Sequence, residues 1–111
     1  EVPDRMSRAV EERDVVCVFP WCHYRAERCD KDHVVPYDHQ DPARGGATSI
    51  ANLAPLCRRH HRLKTAGLWS YTMTTPGTYE WTDRFDNTYH RDPAGTSPGT
   101  PPPDTGPPDT S

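Results

Sequence analysis

Two short pairs of cysteine and histidine residues, far apart in the sequence, constrain the fold of this chain most strongly. Cys17 and Cys22 form the first pair, and Cys57 and His60 form the second. Such spacings let two tight turns face one tetrahedral ion, so the pattern predicts a structural zinc site that joins the two segments. The alternative is a pair of disulfides among the four cysteines, but disulfides leave the spacing of the cysteine–histidine pair unexplained.

The composition indicates why such a cross-link is needed. Only 32% of the 111 residues are hydrophobic, and small domains with so thin a core are commonly held together by disulfides or by a metal ion. No run is long and apolar enough to span a membrane, so we expect a cytoplasmic protein without membrane contacts. The chain begins with Glu1 and not with methionine, and we therefore expect it to follow an upstream domain in a longer protein. The sequence does not indicate its oligomeric state.

Cys29 is the cysteine that lies outside both pairs. It can replace His60 as the fourth zinc ligand, or it can be a small buried hydrophobic residue. Its position in the middle of a predicted strand, away from both pairs, favours burial. Both interpretations stay open at this point.

Hydrophobic periodicity predicts an α+β fold in which a strand, a long loop, a second strand and a helix form the central unit. The predicted elements are a helix over residues 3–13, strands over 29–35 and 53–56, a helix over 58–65 and an aromatic β-hairpin within 68–91. Gly45 and Gly46 lie in the loop, and Pro76 and Gly77 suit a type II turn in the hairpin. The aromatic side chains of the hairpin can stack on bases, but burial in a small core is favoured.

The domain organisation follows from these elements and from a change in composition near the end of the chain. From Asp92 onward the sequence is rich in proline and glycine, with no apolar side chain larger than that of Ala94. Such a composition predicts disorder. We therefore expect an N-terminal helix (1–13), a metal-stapled core (14–67), a hairpin extension (68–91) and a disordered tail (92–111).

The net charge of −3 conceals a cationic segment. No acidic residue occurs between Asp41 and Glu80. The basic residues of this interval include Arg44, Arg58, Arg59, Arg62 and Lys64. A solvated helix surface is the ordinary interpretation, but most of these residues share one short helix with the second zinc pair, which favours contacts with nucleic-acid phosphates.

Four residues near the zinc pairs carry groups suited to catalysis: Asp32, His33, Asn52 and His61. An imidazole can act as a general base, and a carboxylate with a second imidazole can hold a divalent cation, as metal-assisted phosphodiester cleavage requires. Each residue alone has an ordinary interpretation as a surface or turn residue. Their occurrence together, between and beside the zinc pairs, favours catalysis.

Three spaced motifs resemble one known family. They are Cys29-Asp-Lys-Asp-His-Val-Val-Pro36, Gly45-Gly46 and Asn52-Leu-Ala-Pro-Leu-Cys-Arg-Arg-His-His-Arg-Leu-Lys-Thr65. The pattern is similar to the HNH endonucleases of the His-Me finger, or ββα-metal, class, and in detail to bacterial HNH modules at the C-terminal end of longer chains. The resemblance covers residues 14–67 and departs from the common zinc-binding version at His60, where the family has cysteine.

The resemblance implies a role for each matched residue. His33 corresponds to the general base that activates a water molecule, and a neutral imidazole suits that role. Asp32 and His61 correspond to the ligands of one divalent cation, for which Mg²⁺ or Mn²⁺ is suitable. Asn52 corresponds to the residue whose amide fixes the loop and orients the base.

Two functions are consistent with these features. The first is a metal-dependent endonuclease that hydrolyses DNA, with Arg58, Arg59, Arg62 and Lys64 bound to phosphates without reading the base sequence. The second is a zinc-stapled nucleic-acid-binding module without catalytic activity. Asp32, His33, Asn52 and His61 occur together with the basic helix, which favours the enzyme. A binding module needs the zinc site and the basic helix but not these four residues.

Overall fold

An antiparallel pair of strands and the helix that follows it form the centre of the fold. The computed structural model describes residues 2–98 apart from 37, 39, 42 and 44. Arg44 of the predicted cationic segment and residues 99–111 of the predicted tail lie outside this part of the chain. The helices are α1 (Asp4–Arg13) and α2 (Arg58–Thr65), and the strands are β1 (Asp30–His33), β2 (Leu53–Leu56), β3 (Trp69–Thr75), β4 (Thr78–Asp83), β5 (Thr88–Asp92) and β6 (Gly95–Pro98).

The predicted strand–loop–strand–helix unit is confirmed. In the antiparallel register of β1 and β2, Asp30 faces Leu56 and His33 faces Leu53. β1 is shorter than the predicted strand over 29–35, because the backbone of Val35 is bonded to the side chain of Asn52 and not to a strand. α2 begins directly after Cys57 and has ended before Gly67, which has a φ of 80°.

Helix α1 has the predicted position, and its charges suit the helix dipole, with Asp4 in the first turn and Arg13 in the last. Val10 on its inner face is fully buried. The Arg13 guanidinium donates hydrogen bonds to Ile50 O at 2.6 Å and to the Tyr79 hydroxyl at 3.0 Å. The end of α1 is thereby bound both to the central unit and to the C-terminal sheet.

The predicted hairpin is the first half of a four-stranded antiparallel sheet with the order β3-β4-β5-β6. Its turn contains Gly77, which has a φ of 92°. A type II turn requires a positive φ at this position, and glycine adopts it most readily. β5 and β6 extend the sheet as far as Pro98, so the predicted boundaries at 91 and 92 are corrected. The composition of residues 95–98 does not predict a strand, because the segment has no large apolar side chain. It forms β6 by pairing its backbone with that of β5, which is otherwise an edge strand.

The core lies between this sheet and the first zinc pair. Trp81, Tyr79 and Leu56 are less than 2% exposed, and Tyr71 is 7% exposed, which confirms burial of the hairpin aromatics. Trp81 Nε1 donates a hydrogen bond of 2.9 Å to Val18 O. No helix in the described part of the chain is long and apolar enough to cross a membrane.

Candidate metal centres and active site

The two predicted zinc pairs come together in the structure. One ligand atom from each of Cys17, Cys22, Cys57 and His60 lies within 4.8 Å of the others. His60 Nδ1 is 3.3 Å from Cys57 Sγ and 3.7 Å from Cys17 Sγ. Because corners of a tetrahedron with metal–sulfur bonds of about 2.3 Å are about 3.8 Å apart, the donor set and its spacing fit a zinc ion. These four residues are positioned to bind a metal.

Neighbouring elements hold the ligands in place. The Phe19 ring stacks on His60 at 3.9 Å between centroids. From β5, Arg91 donates hydrogen bonds to the carbonyl oxygens of Cys17 at 3.1 Å and Cys22 at 3.0 Å. Burial raises the pKa of the Cys22 thiol to about 12, so a bound cation is needed to stabilise its thiolate.

Cys29 is not part of this group. It is 8% exposed, and its Sγ donates to Arg25 O at 3.3 Å. His60, and not Cys29, is therefore the fourth residue positioned to bind a metal. All four cysteines are free thiols, which contradicts the disulfide alternative.

A second group of polar side chains lies where α2 packs against β1. His61 Nε2 is 3.1 Å from Asp32 Oδ1. Adjacent ligands of an octahedral cation with bonds of about 2.1 Å are about 3.0 Å apart, so the separation of these two atoms is compatible with a shared divalent cation. The predicted ligand pair is thus brought together by the pairing of a strand and a helix that are distant in sequence.

Lys64 has a different place from the one predicted. The sequence assigned it to phosphate contacts, but its side chain is 16% exposed, and its Nζ lies 2.6 Å from Asp32 Oδ2 and 2.8 Å from His33 O. The physical reason is that the Asp32 carboxylate, 8% exposed, needs a charged partner once it is buried. Tyr71 donates a second hydrogen bond of 2.8 Å to the same oxygen.

Asp30 is a site residue that the sequence did not reveal. Its Oδ2 is 2.9 Å from His61 Nδ1 and accepts a hydrogen bond of 2.9 Å from Arg58 Nε. The hydrogen bond from Arg58 lowers the pKa of Asp30, which keeps the carboxylate ionised. A carboxylate on the far nitrogen of a metal-ligating histidine fixes the tautomer that presents Nε2. The sequence did contain a signal for this role, because residues two apart in a strand lie on the same face, which places Asp30 beside Asp32.

Asn52 closes the loop that precedes β2. Its Oδ1 accepts a hydrogen bond from Val35 N at 2.9 Å, and its Nδ2 donates to Val35 O at 3.0 Å and Ala47 O at 2.9 Å. A Cβ at Gly46 would overlap Val35 O and Asn52 Nδ2, so only glycine fits there. Inside the loop base, His33 Nε2 is 2.8 Å from the Thr48 hydroxyl.

The outer face of α2 carries the remaining basic residues. Arg59 and Arg62 are exposed. Arg58 is also exposed, at 68% of its side chain, although it is bonded to Asp30. Three guanidinium groups of one helix are thus exposed, and that of Arg58 reaches the candidate active site through Asp30.

Comparisons with known proteins agree with this arrangement. Residues 16–67 match the family model described as HNH endonuclease. The chain is 38% identical to the uncharacterized protein Rv3776 and 37% identical to the uncharacterized protein Rv2100, both of Mycobacterium tuberculosis, over 90 residues in each case. These alignments cover 80% of this chain but only 16% and 15% of the relatives. No solved structure is significantly similar to the chain.

The family match spans the Cys/His group and the Asp32–His61 pair, from the first cysteine pair to the end of α2. It coincides with the strand–loop–strand–helix unit, and it confirms the resemblance inferred from the motifs. Residues 16–67 of this chain therefore form a domain that matches the HNH endonuclease family model.

Proposed function

We propose that this domain is a metal-dependent endonuclease that hydrolyses phosphodiester bonds of DNA. The observation that carries the proposal is the 3.1 Å separation of Asp32 Oδ1 and His61 Nε2, at a site where both residues have further polar partners. His33 follows Asp32 directly in the same strand. A candidate base therefore directly follows a candidate cation ligand in the sequence.

Asp32 and His61 would hold Mg²⁺ or Mn²⁺, with most coordination positions left for water and phosphate. When bound, the cation supplies positive charge next to the phosphate and the leaving 3′ oxygen. Asp30 fixes the ring of His61 through Nδ1 at 2.9 Å. Asp32 and His61 thus have the distance and the support that a ligand pair needs.

His33 is the proposed general base, which accepts a proton from the water that attacks phosphorus. Two features orient it. The Thr48 hydroxyl contacts its Nε2 at 2.8 Å, and Asn52 bonds the backbone on both sides of the loop, at Val35 and Ala47. The loop base therefore keeps the imidazole in a defined orientation, which proton transfer requires.

The DNA backbone would lie along the outer face of α2. Arg59 and Arg62 are exposed there, and guanidinium groups bind phosphate oxygens through two parallel hydrogen bonds. Such contacts orient a duplex without reading its sequence. Lys64 is absent from this proposed surface, because it is bonded to Asp32.

The test is incubation of the zinc-loaded chain with supercoiled plasmid, with and without Mg²⁺ or Mn²⁺. We expect nicked circles only when the divalent cation is present. A protein that binds the plasmid but produces no cation-dependent nicks on any DNA would instead be an inactive nucleic-acid-binding module.

A further inference from the structure

One side chain from beyond the family match reaches into the candidate active site. Tyr71 lies in β3, and its hydroxyl donates a hydrogen bond of 2.8 Å to Asp32 Oδ2. The Tyr71 ring stacks on Trp81 with 4.2 Å between centroids and an interplanar angle of 5°. Because the side chain is only 7% exposed and stacked on a buried tryptophan, the position of its hydroxyl is fixed by the sheet.

The two oxygens of Asp32 have different partners. Oδ2 accepts from Tyr71 and from Lys64 Nζ at 2.6 Å, whereas Oδ1 faces His61 Nε2 at 3.1 Å. Rotation of the carboxylate would break both hydrogen bonds at Oδ2. A cation that enters between Oδ1 and Nε2 replaces only the contact between those two atoms, and the support at Oδ2 remains.

We propose that Tyr71 is a positioning residue for the divalent cation. Its hydroxyl holds Asp32 so that Oδ1 is presented beside His61 as a single-oxygen ligand. This inference rests on the proposed cation site, and it extends the site to the C-terminal sheet, which lies outside residues 16–67. The sheet then has a role in metal binding in addition to its role as a support for the zinc pairs.

Tyr79 offers a matched control for this role. It lies in the neighbouring strand β4, its ring is 6.0 Å from that of Tyr71, and it is 1% exposed. Its hydroxyl donates to Asp14 Oδ2 and not to Asp32. Loss of this hydroxyl removes the hydrogen bonds with Asp14 and Arg13 and leaves the proposed ligands untouched.

The experiment is a titration of the zinc-loaded chain with Mn²⁺, followed by electron paramagnetic resonance of the free ion. We expect Tyr71→Phe to bind Mn²⁺ about 10- to 100-fold more weakly than wild type, the usual effect of losing a partner of a metal ligand. Zinc content and melting temperature should stay close to wild type, because Lys64 still satisfies Asp32 Oδ2. Tyr79→Phe should leave Mn²⁺ affinity unchanged, and 4-aminophenylalanine in place of Tyr71, which restores a donor, should recover it.

Three results would overturn the inference: Mn²⁺ affinity of Tyr71→Phe equal to that of wild type, equal weakening in Tyr79→Phe, or loss of fold or zinc in Tyr71→Phe. Loss of fold or zinc in Tyr71→Phe would show that the Tyr71 hydroxyl stabilises the fold and does not specifically position Asp32. Failure of the proposed function has a different signature, which is a wild-type protein that binds Mn²⁺ but does not nick DNA. Wild-type protein that does not bind Mn²⁺ would overturn the cation site and this inference together.

Discussion

At the scale of single residues, each side chain of the candidate site is held by named partners. His33 contacts Thr48, His61 is held between Asp30 and Asp32, and Asn52 bonds the loop backbone. Since the zinc ligands and the outer arginines are other residues, the general base can be removed without disturbing metal structure or DNA contact. The chemical step can therefore be tested separately.

We expect His33→Ala to lower the rate of plasmid nicking by about two to four orders of magnitude, the usual contribution of a general base. Zinc content and DNA affinity should remain close to wild type. The measurement is single-turnover nicking at saturating Mg²⁺. His90→Ala, which changes a histidine of β5 whose side chain is 43% exposed, serves as the control and should nick at the wild-type rate. Equal nicking by the His33 variant would show that the base is another group.

At the scale of elements, helix α2 presents two sets of polar side chains on two faces. Cys57 and His60 at its start turn toward the zinc centre, and Arg59 and Arg62 turn outward. The loop before β2 is closed by Asn52 and by the close packing of Gly46 against Val35 O. The exposed arginines of α2 and the glycine in the loop before β2 can therefore be tested by separate substitutions.

Neutralising Arg59 and Arg62 together, as Arg59→Gln with Arg62→Gln, should weaken binding to all DNA sequences alike. Each phosphate bound by an arginine releases about one counterion, so the slope of log affinity against log salt should fall by about one unit for each arginine that is neutralised. The control is Arg5→Gln with Arg84→Gln, which removes the same charge from exposed arginines on α1 and after β4. If both pairs change the slope equally, the DNA does not lie along α2.

Gly46→Ala should open the base of the loop, because the added Cβ would overlap Val35 O and Asn52 Nδ2. We expect a loss of about 1–3 kcal/mol in the free energy of unfolding, as for other insertions into close-packed positions, and slower nicking. Urea denaturation and the plasmid assay measure the two effects. Gly67→Ala is the control, since a Cβ there meets nothing within 4 Å and only its φ of 80° is unfavourable. The control should lose stability through its backbone conformation but nick DNA at the wild-type rate, whereas a Gly46 variant as stable as wild type would contradict the prediction.

At the scale of the whole molecule, a thin core is stabilised by a cross-link. The group of Cys17, Cys22, Cys57 and His60, which is positioned to bind a metal, joins the segment before β1 to the start of α2. The C-terminal sheet contacts the same segment through Trp81 and Arg91. Binding free energy of a structural zinc ion is folding free energy in domains of this kind. Removal of the ion should therefore affect the entire fold.

Chelation of zinc should unfold the domain, with loss of the near-UV circular dichroism of its buried aromatic residues. Cys22→Ser should lose zinc in the same way, because it removes a ligand. Cys29→Ser makes the same chemical change at a buried cysteine outside the ligand group and should retain one zinc ion per chain. A chelated protein with an unchanged spectrum, or a Cys29 variant that also loses zinc, would contradict this assignment.

The central unit and the two zinc-binding pairs could be predicted from local patterns in the sequence, which left Cys29 open as an alternative to His60. Short spacings such as those of Cys17 with Cys22 and Cys57 with His60 are local properties, and so are the periodicities of α2 and β2. Only the tertiary structure decided that Lys64 and Tyr71 share Asp32 Oδ2, that Asp30 supports His61, and that the sheet continues to Pro98. These contacts depend on strands and helices that meet after the chain folds, and a buried carboxylate then selects its partners by proximity and charge, which no local pattern encodes.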